Sequence, residues 1–232
     1  MSKDIFGKAL LDYQSDNYTD DLITWTNISD EDVLPLPYLF RDYSGMPKLE
    51  QKALQLAKGK VLDVGCGAGN HALWLQDNGV EVKAIDSSKG AIEVCKKREV
   101  KNAILLPLLD ETETFDTILL LMNGTGIFQE LTQVAKYLKH IKSLLNPNGQ
   151  ILIDSSDISY MYMDEDGGTW LDLSSNYAGE LDYFISYKGE EETPMKWLYL
   201  DFETLKTACL TVGLQCEKVM EGAHFDYLAR IC

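Results

Sequence analysis

No run in this chain is apolar for long enough to span a bilayer, and the residues from Met1 to Ile5 do not open a signal-peptide core. There is no CxxC pair. The five cysteines, Cys66, Cys95, Cys209, Cys216 and Cys232, are odd in number and match neither a disulfide framework nor a zinc site. A reduced, soluble, cytoplasmic protein is the expectation. Basic residues are scarce, 21 against 37 acidic ones, for a formal net charge of −16. So negative a surface repels phosphate backbones and argues against a nucleic-acid partner. The longest basic run, Lys96-Lys97-Arg98, ends a predicted helix, where cations favour the dipole. Repeats and low-complexity tracts are missing too. What remains, 232 residues of which 45% are hydrophobic, suits one globular domain with a sizeable core.

Residues 1–46 mix acidic and aromatic side chains, broken by Pro35 and Pro37, and read as short helices or loops forming a lid or cap. From Pro47 to 154 helix and strand patterns alternate. A helix from Pro47 ends at Gly59; strands follow at Lys60–Val64, Val80–Ile85, Asn102–Leu106, Phe115–Met122 and Gln150–Asp154. Between them lie helices over Asn70–Asn78, Lys89–Arg98 and Gln129–Leu145. That alternation predicts an α/β fold, a doubly wound, mostly parallel sheet covered on both faces.

Residues 155–200 break the rhythm and read as a substrate-side insertion, with a hairpin of Glu180–Tyr187 and Met195–Leu200. In 201–232, Asp201 caps a predicted helix that ends at Gly213, before strands Leu214–Met220 and His224–Ile231. Parallel neighbours need a crossover of about a dozen residues, so two strands joined this tightly must pair antiparallel. The expected sheet has seven strands and an antiparallel last strand.

At the centre stands Val61-Leu62-Asp63-Val64-Gly65-Cys66-Gly67-Ala68-Gly69-Asn70. A dinucleotide fingerprint is GxGxxG; here the spacing is GxGxG, and Asn70 stands where the last glycine belongs. Asp63 before the turn disfavours a pyrophosphate and favours a ligand with an ammonium group. Asp86, ending the second strand, can accept both hydroxyls of a ribose, with Ser87 and Ser88 beside it, and can equally cap the next helix.

This stretch resembles motif I of the class I S-adenosylmethionine-dependent methyltransferases. The resemblance implies a Rossmann-like methyltransferase fold with S-adenosylmethionine as cofactor. It implies contacts from Asp63, Gly65, Cys66, Gly67, Gly69 and Asn70 to the methionine part and ribose, and from Asp86 and Ser87 to the ribose. The family often has an acid after the third strand for adenine; here Leu108-Leu109 occupy that place, with Asp110 one step on. Met122 and Leu121 are expected in the pocket wall, and Gly124 and Gly126 suggest either close approach to a ligand or a plain turn. The Asn/Asp-Pro-Pro-aromatic motif of amino-methylating nucleic-acid enzymes is absent.

The implied reaction is in-line displacement of a sulfonium methyl by a small-molecule acceptor, without an obligatory metal or an assignable base. His71 reads as a helix-start residue or cofactor neighbour, His140 as surface, and His224 as facing either crevice or solvent. Acceptor contacts are expected from Arg41, Tyr43, Asn123 and Tyr160, with Tyr38, Phe40, Tyr162, Asp164 and Trp170 as further lid residues. Two alternatives stand beside this reading: an NAD(P)-dependent oxidoreductase, and a non-catalytic protein that binds S-adenosylmethionine.

Overall fold

A computed structural model describes residues 3–162 and 177–232. The chain begins with helix α1 (Ile5–Gln14), the strands β1 (Leu22–Thr26) and β2 (Ser29–Leu34), and the single turn α2 (Leu36–Leu39). Helix α3 (Lys48–Leu56) leads into β3 (Val61–Val64), α4 (Asn70–Asp77), β4 (Val82–Asp86), α5 (Lys89–Lys97) and β5 (Ala103–Leu105). Next come β6 (Phe115–Leu120), α6 (Leu131–Ser143) and β7 (Leu145–Ser156). Then follow β8 (Glu180–Tyr187), β9 (Glu190–Glu191), β10 (Met195–Leu198), α7 (Phe202–Thr211), β11 (Cys216–Glu221) and β12 (Asp226–Ile231). Strand β7 begins at Leu145 rather than at Gln150, because Asn146–Gly149 is accommodated as a bulge between the pairs Phe115–Leu145 and Thr117–Gln150.

The main sheet runs β11-β12-β7-β6-β3-β4-β5. Strands β7, β6, β3, β4 and β5 are parallel, whereas β12 is antiparallel to both β7 and β11, as the short β11–β12 connection requires. The central strands are mostly apolar because helices cover both faces, with Asp63 in β3 a buried exception at the centre. All of Val61–Val64 is buried, and Ile118, Leu119 and Leu120 have no exposed surface. The order turns back between β6 and β4 around β3, which opens a crevice at the carboxyl ends of these strands. Among the described residues no helix is long and apolar enough to cross a membrane.

A second, antiparallel sheet runs β10-β8-β1-β2, with β9 on β8. The hairpin predicted at 180–200 is half of it. The other half, β1 and β2, stands where the sequence predicts helices or loops. Strand β2 carries Asp30, Glu31 and Asp32, all exposed, and shows no apolar alternation. Its partner β1 is held instead by a distant segment, pairing Ile23 with Ser186 and Trp25 with Phe184, whose rings stack 5.2 Å apart.

Helix α1 closes against α5 through two glycines. A Cβ on Gly90 would stand 2.4 Å from the carbonyl carbon of Gly7. Asp4 bridges the two helix starts, accepting from Gly7 N at 3.2 Å and from Gly90 N at 2.8 Å. Gly90→Ala is therefore expected to destabilise the protein by about 1–3 kcal/mol, against the roughly 1 kcal/mol that alanine gains in a free helix. Urea unfolding with limited proteolysis at α1 measures it. An unchanged midpoint with α1 still protected would show that the contact is not tight.

Candidate functional site

The turn after β3 is pinned from three sides. Gly65 N and Cys66 N both donate to Ile85 O at the end of β4, at 2.9 and 3.1 Å. Behind the turn, Arg98 Nη1 donates to Ala68 O and to Asn70 Oδ1, each at 2.6 Å, while its guanidinium lies over the Phe40 ring. Burial lowers the Arg98 pKa. The last residue of the basic run thus turns back into the fold and braces the glycine turn; it does more than complement a helix end. Asn70 Nδ2 donates to Leu39 O at 2.8 Å, so this side chain ties α4 to α2.

The three glycines differ in what surrounds them. All have positive φ, from +52° to +83°. On Gly69 a Cβ would meet Val100 Cγ2 at 2.9 Å and Cys95 Sγ at 3.0 Å, so this glycine permits packing against the chain that ends α5. On Gly65 and Gly67 nothing lies closer than Ile127 Cδ1 at 3.4 Å and Phe6 Cζ at 3.9 Å. The first two glycines are therefore loosely surrounded, and both keep exposed surface. Cys66 is buried, with its thiol hydrogen-bonded to that of Cys95 at 3.7 Å and no disulfide between them.

Asp63 is buried in β3 and has one oxygen facing His71 Nδ1 at 3.8 Å. Its other oxygen, Oδ2, is buried with no partner among the described residues. An orphaned carboxylate oxygen is costly in an apolar sheet and fits a cationic ligand group. His71 Nε2 meets Glu50 Oε2 at 2.8 Å, and Arg41 Nη2 donates to Glu50 Oε1 at 2.5 Å. Burial by itself would lower the His71 pKa, but hydrogen bonding and attraction to Asp63 and Glu50 raise it to about 9. Burial likewise opposes the charge on Glu50, which His71 and Arg41 hold below the usual carboxylate range.

Asp86 ends β4 and accepts from Gly67 N at 2.9 Å and from Ser88 N at 2.8 Å. The capping role passes to Ser88, whose Oγ accepts from Ala91 N at 3.0 Å. Each Asp86 oxygen keeps a lone pair for a hydroxyl. Burial raises the Asp86 pKa against the pull of those two N–H groups. Ser87 is exposed beside it. Beyond β5, the Leu108 side chain is buried and its carbonyl lies 2.9 Å from His140 Nε2, which places His140 in this contact rather than free on the surface. Leu109 is half-buried at the same rim.

The end of β6 is strained. Met122 and Asn123 are consecutive left-handed residues at φ 65° and 59°. Asp154, at the end of β7, holds them by accepting from Met122 N at 3.0 Å and from Gly124 N at 2.9 Å. Burial pushes its pKa up to about 6. Asn123 Oδ1 accepts from Thr125 Oγ1 and Ser155 Oγ, and Nδ2 donates to Leu198 O, which links this turn to the second sheet. The closeness at Gly124 and Gly126 is internal: their missing Cβ atoms leave room for Leu120 and for the Trp197 ring.

Between the two sheets lies a cavity of about 310 Å³. Thr26 and Ser29 line it from the β1–β2 turn, Ser156, Ile158, Tyr160 and Met161 from the tail of β7, Leu181 and Tyr199 from the second sheet, and His224 from the β11–β12 turn. Of the four expected acceptor residues, Tyr160 is here and Asn123 sits at the β6 turn. Arg41 is not: its guanidinium is packed on Tyr38 and paired with Glu50. Nor is Tyr43, which stacks on Trp74 at 4.7 Å and accepts from Gln55 Nε2. Asp164 and Trp170 lie outside the described residues. Residues that sequence reasoning missed are Glu50, Arg98 and Tyr199; their sequence neighbourhoods carry no motif.

Residues 39–226 match the methyltransferase-domain family. The crystal structure of a SAM-dependent methyltransferase from Bacteroides fragilis in complex with S-adenosyl-L-homocysteine is similar, with a TM-score of 0.93 and 44% identity, over 99% of this chain and 94% of that one. A ubiquinone biosynthesis O-methyltransferase of Rickettsia akari is 28% identical over 107 residues, 43% of this chain and 41% of that protein. A tRNA U34 carboxymethyltransferase of Pseudoalteromonas translucida is 29% identical over 133 residues, 52% of this chain and 38% of that protein. The matches with these two relatives therefore span less than half of their lengths.

The His71 cluster has a definite pH signature. Because its folded pKa is raised, the imidazolium stabilises the fold fully below about 6.5, and that contribution is lost as pH rises through about 9. Urea unfolding between these limits is expected to lose up to about 3 kcal/mol in the wild type, and much less in His71→Asn. Parallel curves would contradict this. Separately, Asp86→Ala is expected to weaken S-adenosylhomocysteine binding by about 1–3 kcal/mol in calorimetric titration. Unchanged affinity would place the ribose elsewhere.

Proposed function

The chain belongs to the S-adenosylmethionine-dependent methyltransferases, and from that premise we propose that it methylates a small-molecule acceptor held in the cavity between the two sheets. The observation that carries this reading is the cavity's chemistry. Among the described residues its lining includes no lysine, arginine, aspartate or glutamate, and its polar side chains are the hydroxyls of Thr26, Ser29, Ser156, Tyr160 and Tyr199 with the His224 imidazole. At about 310 Å³ it lies at the small end of ligand sites, which suits a compact, largely uncharged acceptor. Burial pushes the Tyr199 pKa up to about 12, so at neutral pH this phenol donates a hydrogen bond and is no base.

When bound, S-adenosylmethionine supplies an activated methyl group on a sulfonium sulfur. The chain's own part is to hold and orient. We assign cofactor contacts to the open faces of Gly65 and Gly67 with Cys66, and to Asp63, Asp86 and Ser87. Leu108, Leu109 and Met122 form the walls, and Gly69 and Asn70 shape the turn from behind. In this division residues 47–154 carry the cofactor, while 1–46 and 155–200 build the acceptor side and 201–232 complete the sheet. The GxGxG spacing and the antiparallel β12 speak against an NAD(P)-dependent oxidoreductase. A tRNA acceptor, which one relative's name suggests, is disfavoured by the net charge of −16. A reducing compartment such as the cytoplasm accords with five free thiols.

Turnover of S-adenosylmethionine against a panel of small amines, phenols and hydroxylated compounds, with tRNA included, tests the reading. Ser29→Trp, which fills the cavity, is expected to lower turnover on the accepted compound by about tenfold or more while S-adenosylhomocysteine affinity stays unchanged. Methylation of tRNA alone, or full turnover by the filled variant, would overturn it.

A further inference from the structure

The buried ion file under the glycine turn is larger than a cofactor contact needs. It runs Arg41, Glu50, His71, Asp63, with charges alternating and separations of 2.5, 2.8 and 3.8 Å. All four side chains are at least nine-tenths buried. The file starts outside the cofactor-binding strands: Arg41 follows α2 and Glu50 lies on α3, whereas His71 opens α4 and Asp63 belongs to β3. It ends on an oxygen, Asp63 Oδ2, that is buried and has no partner among the described residues.

We propose that His71 is a positioning residue for the methionine end of the cofactor: set between Glu50 and Asp63, it balances the two carboxylates and leaves the second Asp63 oxygen free for the ligand's ammonium group. The groups around His71 decide its state. Asp63 faces it from β3, Glu50 from α3 and Asp154 at longer range from β7, while Arg41, seated on the Tyr38 ring, neutralises the far side of Glu50. Without a cation between them, Glu50 and Asp63 would be like charges repelling in a low-dielectric space, and nothing would hold Asp63 turned toward the ligand. The imidazolium therefore acts on the ligand through Asp63 and touches no reacting atom itself. Arg41 makes the state depend on how the segment between α2 and α3 is seated. By linkage, a ligand that engages Asp63 must tighten that segment in return.

Two ligands separate this role from a merely structural one. S-adenosylhomocysteine and 5′-methylthioadenosine share the adenosine and the thioether, but only the first carries the amino-acid group. In calorimetric titration, His71→Asn is expected to weaken S-adenosylhomocysteine by about tenfold or more and to leave 5′-methylthioadenosine unchanged. Arg41→Met should give the same selective loss, smaller in size. In the unliganded wild type, nitrogen-15 spectra at pH 7.5 should show both ring nitrogens of His71 protonated, which needs no variant. Equal losses for the two ligands, an unchanged S-adenosylhomocysteine affinity, or a neutral imidazole at pH 7.5 would each overturn the proposal. Neither ligand includes an acceptor, so none of these outcomes bears on the acceptor cavity. A wild type that binds neither ligand would overturn the cofactor assignment as well.

Discussion

A carboxylate in the middle of a parallel sheet has to be compensated, and much of this molecule is arranged around the compensation of Asp63. Its neighbours in β3 are fully buried valines and a leucine, so water supplies little. The protein answers with charge from outside the sheet: His71 from the start of α4, then Glu50 and Arg41 from the segment leading to it. One oxygen faces the His71 ring at 3.8 Å, and the other has no partner among the described residues. The cost of that unsatisfied oxygen is the affinity available to a cation that completes it. Thus the element that sets the fold's centre also defines its binding preference.

The second constraint is the turn beside it. Gly65 and Gly67 keep their outer faces open because Ile85 O, Arg98 and Asp86 hold the backbone from below and behind. Across the crevice, Asp154 does the same for the left-handed pair Met122–Asn123. One wall is a glycine turn and the other a left-handed pair, and each is held by hydrogen bonds to a carboxylate, which pre-organises a site, since little remains to be ordered when a ligand arrives. The acceptor cavity is built differently. It rests on a sheet assembled from two segments far apart in the chain, and its lining among the described residues is hydroxyl, imidazole and apolar. A charged half for the donor and an uncharged half for the acceptor suit the two partners proposed for them.

Much of this was legible in the residues. Alternating apolar runs from 47 to 154 specify a parallel sheet because strands covered on both faces cannot carry polar alternation. GxGxG with Asp63 ahead of it speaks against a pyrophosphate and Asp86 one strand later suits a ribose, while the resemblance of the stretch to motif I implies the donor class. The four-residue gap before β12 specifies an antiparallel partner, because a parallel one could not be reached. These are local constraints, and sequence states local constraints directly.

What the sequence could not settle involves partners far away in the chain. Strand β1 exists because β8 pairs with it, and β2, with its exposed acids, exists because β1 does. Arg41 reads as a surface cation suited to an acceptor, yet folding delivers it to a buried Glu50; Arg98, read as a helix-end charge, turns inward to the glycine turn. Gly124 and Gly126 suggested close approach to a ligand or a plain turn, whereas Leu120 and Trp197 occupy the space beside them. In each case propensity and spacing leave several destinations open, and packing chooses among them. The sequence by itself determined the class of fold and the donor. Only the tertiary structure decided which charges meet at Asp63 and where an acceptor has room, because both depend on contacts between segments that no local pattern relates.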